Sequence, residues 1–107
     1  MSLHSDEERW GVWMVQARQF AKRENYPDAV ARMRLVRESI QKSLADETDT
    51  ALRGRIERHL ARVEELLTDL QSRLEAWRSV IAARRQQTID QAEEEMARPL
   101  PLPADQR

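Results

Sequence analysis

The chain is 107 residues long, the size of one small domain, with 18 Lys plus Arg against 19 Asp plus Glu and a net charge of −1. That balance excludes the dominant basic surface of a nucleic-acid binder, so no nucleic-acid partner is expected. The absence of cysteine excludes disulfides, thiolate metal sites and cysteine nucleophiles.

Charged residues make up 35% of the chain and there are only two glycines and one Tyr, which suits helices better than sheets. No apolar run approaches the roughly 20 residues needed to cross a bilayer. Glu7, Glu8 and Arg9 interrupt the window in which a signal peptide would place its apolar core. A cytoplasmic protein without membrane insertion is expected.

Ser5 followed three residues later by Glu8 reads as a capping box opening a helix. Trp10, Trp13, Ala17 and Phe20 then recur on one apolar face, widened by Met14 and Ala21. A first helix from about Asp6 to Arg23 follows. Asn25 is expected to take the left-handed conformation that ends it, and Pro27 to begin the next helix. The second helix should run from Pro27 to about Leu44, with a stripe of Ala29, Met33, Val36, Ile40 and Leu44. So short a connection makes the first two helices an antiparallel hairpin.

A third helix begins near Asp49 and meets no proline until Pro99. Ile56, Leu60, Val63, Leu67, Leu70, Leu74, Trp77 and Ile81 alternate steps of four and three, a heptad seam. Arg84 and Arg85 interrupt it, and Ile89, Ala92 and Met96 resume it in a shifted phase. At ~1.5 Å per residue the first two helices span roughly 27 Å and the third up to roughly 75 Å. The fold expected is therefore all-α, an antiparallel three-helix bundle with an elongated third helix, forming a single domain over residues 1–98. Leu74, Trp77 and Ile81 would project beyond the hairpin. Either a second copy covers them in a homodimer, or the helix bends near Arg84-Arg85 and folds back. Residues 99–107, with Pro99, Pro101 and Pro103, read as an extended tail.

Two stretches carry a family likeness. One is Asn25-Tyr26-Pro27-Asp28-Ala29-Val30, and the other runs from Arg53 through Gly54, Arg55, His59, Leu60, Arg62 and Glu64 to Leu66. Together they resemble the microtubule-interacting-and-transport (MIT) domain, with His59 where that family has an aromatic and Val63 where it has a small residue. Trp13, Ala17, Phe20, Tyr26, Ala29 and Met33 also fit one tetratricopeptide repeat, but such arrays need about three repeats and no second copy exists here. The long third helix departs from the MIT pattern.

What the MIT resemblance implies is a non-enzymatic interaction module that holds a partner's amphipathic helix between two bundle helices. The residues expected to border that groove are Met33, Val36, Ile40, Val63, Glu64 and Leu67, and the residues expected at the dimer interface are Leu74, Trp77 and Ile81. No cofactor and no metal are expected, because His59 has neither a Cys nor a nearby His to share an ion. Two other classes compete. A secretion or assembly chaperone would bind a partner's coiled coil through Leu74 to Met96. A small helical ribonuclease of the HEPN group would use Arg53 and His59, one stabilising phosphate charge and the other moving protons.

Overall fold

The computed structural model describes residues 3–100. It forms three helices: α1 (Leu3–Lys22), α2 (Tyr26–Asp46) and α3 (Thr50–Ala97). The fold is all-α, an antiparallel three-helix bundle with a long third helix. The chain divides after Ala76 into two units.

In the first unit each junction has a local cause. Glu24, at φ 59°, is the left-handed residue that ends α1. Its N–H donates to the Ala21 carbonyl at 3.0 Å, and the Asn25 N–H donates to the Phe20 carbonyl at 2.9 Å. These two bonds make a Schellman closure. The left-handed position thus falls on Glu24, not on Asn25. Asn25 instead opens α2, its carbonyl accepting from the Ala29 N–H at 3.1 Å and its side-chain amide donating to Asp28 at 2.8 Å. Asp49 caps α3, its carboxylate accepting from the Leu52 N–H at 3.0 Å. The Arg53 guanidinium crosses the second turn and donates to the Leu44 and Glu47 carbonyls, both at 2.8 Å. Ser5 is not an N-cap: α1 is already helical at Leu3, so the capping box does not form at Ser5.

Side-chain pairings set the directions of the helices. Trp10 of α1 meets Ser39 of α2, as an antiparallel hairpin requires. Glu7 and Trp10 meet Arg55 and His59 at the start of α3, while Ala21 lies with Leu66 and Leu70 further along. Helices α1 and α3 are therefore parallel, with α2 antiparallel to both.

The core holds Trp10 and Ala17 from α1, then Ala29, Val30, Met33, Val36 and Ile40 from α2, and Ile56, Val63 and Leu67 from α3. Each is 2% exposed or less. Burying a side chain such as Ile40 or Met33 contributes roughly 1.5–3 kcal/mol. Trp13, Phe20, Tyr26 and Leu60 are half-buried. The face of α1 that enters the core is centred on Trp10 and Ala17, which leaves Trp13 and Phe20 at its margins.

In the second unit α3 continues to Ala97 without a break, so no fold-back begins at Arg84-Arg85. Trp77 and Ile81 are half-buried, and every residue from Ala82 to Leu100 is exposed. Local pairs line this stretch: Gln86 donates to Asp90 at 2.9 Å, and Arg98 pairs with Glu95 at 2.9 Å and with Glu94 at 4.0 Å. The tail expected over residues 99–107 is non-helical at Pro99 and Leu100, and the rest of it lies outside the described residues. Among the described residues, no helix is long and apolar enough to cross a membrane.

Candidate functional site

Helix α1 presents three kinds of surface to its neighbours. Its first two turns make a polar latch onto α3. The Glu7 carboxylate accepts from Arg55 Nε at 2.9 Å and meets His59 Nε2 at 2.5 Å. Arg55 Nη2 lies 2.8 Å from the second Glu7 oxygen, so the guanidinium grips the carboxylate at both oxygens. Burial pushes the Glu7 carboxyl up, but hydrogen bonds from His59 and Arg55, and then their charge, outweigh it and hold the group below its ordinary 4.5. The His59 ring also packs edge-on against Trp10, with centroids 5.7 Å apart.

Towards α2, the Trp10 indole N–H donates to Ser39 Oγ at 2.9 Å. Arg9 donates to Asp6 at 3.0 Å and to Ser39 at 3.3 Å, and its guanidinium lies 5.4 Å from the Trp13 ring centroid. A wide depression of about 620 Å³ opens beside them, walled by Glu38, Lys42, Asp46 and Glu47. Its charges are of both signs, and its one aromatic, Trp13, is already covered by Arg9.

The third surface is different. Between the later turns of α1 and the middle of α3 runs a furrow of about 230 Å³. Its floor is apolar: Met14 and Ala21 from one side, Leu66 and Leu70 from the other, all half-buried. Ala17 and Ala21 are the cause of the gap, because two small residues one turn apart leave α1 without bulk where it faces α3. The rim is charged. Arg73 pairs with Asp69 at 3.1 Å, while Arg18, on the opposite bank, has no ion-pair partner among the described residues.

The residues expected to line a groove between α2 and α3 are distributed otherwise. Met33, Val36, Ile40, Val63 and Leu67 are 0–2% exposed and make up the core, while Glu64 is exposed beside them. Of these, Met33 alone also reaches the floor of the α1–α3 furrow. Leu74, expected at a dimer interface, is 8% exposed in the single chain, and Trp77 and Ile81 are half-buried. Arg53 and His59 serve different partners, the second turn and Glu7 respectively. Among the described residues, no group of three His, Asp or Glu side chains is placed to hold a metal ion.

Sequence reasoning did not foresee the Glu7 latch or the furrow. Glu7 stands 48 residues from Arg55 and 52 from His59, and no local pattern links groups so far apart. The furrow did leave a signal, the Ala17–Ala21 pair on an otherwise bulky stripe. Comparison with family models, with curated proteins and with solved structures yields no match.

Proposed function

We propose that the chain is a non-enzymatic protein–protein interaction module, MIT-like in using a cleft between bundle helices to capture a partner's amphipathic helix. The observation that carries this reading is the furrow between α1 and α3, an apolar floor of Met14, Ala21, Leu66 and Leu70 under a charged rim. A docked helix would insert one or two apolar side chains at helical spacing and set an acidic residue against Arg18. The α2–α3 side offers less, since its apolar residues are consumed within the core. The non-enzymatic part is supported by the commitment of Arg53 to backbone carbonyls and of His59 to Glu7.

The test is selection of helical peptides on the folded chain from an amphipathic library, followed by Ala21→Arg and Arg18→Glu. Ala21→Arg fills the furrow and should abolish binding while circular dichroism stays helical. Arg18→Glu should shift selection from acidic to basic flanks. Peptides that bind both variants like the wild type would overturn the reading.

A further inference from the structure

From Ile81 onward the apolar pattern changes period. Ile81 and Ala92 stand eleven residues apart, as do Arg85 and Met96, with Thr88 and Ile89 between them. An eleven-residue repeat covers three turns at ~3.67 residues per turn, close to the natural helix, so these six positions stay on one face without strong supercoiling. The structure agrees in part: Ile81, Arg85, Thr88 and Ile89 border one shallow concavity, with Arg84 at its edge, and Ile89 is 50% exposed and Met96 86%. The Thr88 hydroxyl donates to the Arg84 carbonyl at 3.0 Å, which satisfies its polar atom locally. Along the six positions the face is therefore apolar except at Arg85, and Arg84 borders it.

The charges flanking it are segregated along the helix. Arg78, Arg84 and Arg85 precede the midpoint, and Asp90, Glu93, Glu94 and Glu95 follow it. Among the described residues, the Arg84 and Arg85 guanidiniums and the Glu93 carboxylate have no ion-pair partner. A segment that is basic in its first half and acidic in its second complements itself when reversed.

We infer that residues 81–96 pair with the same segment of a second copy, antiparallel, about a two-fold axis near Thr88 and Ile89. In that register Ile81 packs on the partner copy's residue 96 and Arg85 lies over its residue 92. Arg85 then meets a small alanine, over which its aliphatic stem packs while the guanidinium reaches the acidic flank at position 93. Arg84 faces position 95. The alternatives are worse on charge. A parallel pair in register sets Arg85 against Arg85 in one layer, and an antiparallel pair shifted by one repeat sets Arg84 against Arg84. The segment shares no residue with the α1–α3 furrow, and its test uses the chain alone with no peptide, so either reading can fail without the other.

The experiment is light scattering on the full chain at tens of micromolar, together with single cysteines, which the cysteine-free background makes unambiguous. The wild type should approach the mass of two copies, and Arg84→Glu with Arg85→Glu should weaken pairing by about tenfold or more. Adding Glu93→Arg and Glu95→Arg to that variant should restore pairing. On oxidation, an equimolar mixture of Ile81→Cys and Met96→Cys chains should cross-link, whereas Met96→Cys alone should not. A single-chain mass for the wild type, a dimer indifferent to the arginine reversals, or Met96→Cys cross-linking to itself would each overturn the inference.

Discussion

Ile56 and Ile89 stand on the same continuous helix, yet Ile56 is fully buried and Ile89 is half exposed. Up to Leu74, α3 shares its apolar positions with α1 and α2, and a buried side chain recurs every turn or two. From Ala82 onward the helix is held by its own backbone and by a few pairs such as Gln86–Asp90. Helical spacing alone cannot distinguish these regions, because periodicity states which residues share a face and not what that face meets. Stability therefore resides in the first unit. Among its described residues the second has helical form without a buried side chain, and an isolated helix of that length is marginal in water.

Truncating one isoleucine in each region separates the two most strongly. Ile40→Ala removes a fully buried side chain and should cost about 3–4 kcal/mol, whereas Ile89→Ala in dilute, monomeric protein should stay within about 0.5 kcal/mol. Urea unfolding followed by circular dichroism measures both. Similar losses at the two positions would mean that the second unit carries a core of its own.

Within the first unit, Ser39→Ala leaves the Trp10 indole N–H and one Arg9 contact without their acceptor. The expected loss is about 1–2 kcal/mol, read from the same unfolding curves. Trp10→Phe combined with Ser39→Ala should lose less than the two changes summed, since the donor leaves with the acceptor.

Glu7 gives the first unit a pH dependence. Its pKa is lowered on folding, so the latch stabilises the chain above the unfolded-state carboxylate value of 4.5 and is lost as pH falls through the folded value. The partners are partly exposed, Arg55 at 54% and His59 at 42%, which keeps the contribution to about 1 kcal/mol. Glu7→Gln should remove that much at neutral pH and flatten the acid limb of stability against pH. Retention of the full acid dependence in Glu7→Gln would assign it to other carboxylates. The smallest effect expected is a gain: Glu24→Gly relieves a side chain at φ 59° and should stabilise the bundle by about 0.5–1 kcal/mol.

Much of the fold was legible because each element carried its own punctuation. Pro27 marked the start of α2, Asp49 capped α3, and the long interval before Pro99 announced a helix of unusual length. The α2 stripe of Ala29, Met33, Val36, Ile40 and Leu44 is buried as far as Ile40 and only half-buried at Leu44, while Val30, off that spacing, joins the core. On α1 the spacing leaves the centre of the stripe open, because Trp10, Trp13, Ala17 and Phe20 cover a wide arc and only packing decides which part faces inward. The same ambiguity affected the expected groove. Met33, Val36, Ile40, Val63 and Leu67 were recognised as one apolar set, but whether such a set fills a core or lines a cleft depends on helix rotation. The furrow appeared instead where α1 is small, at Ala17 and Ala21.

A three-helix bundle is joined in sequence to a helix whose described residues bury no side chain, and amide hydrogen exchange on the full chain at high dilution tests this most directly. Amides of residues 33–40 in α2 should exchange only through global unfolding, orders of magnitude more slowly than those of residues 82–96. Equal protection of the two segments in dilute monomer would contradict it.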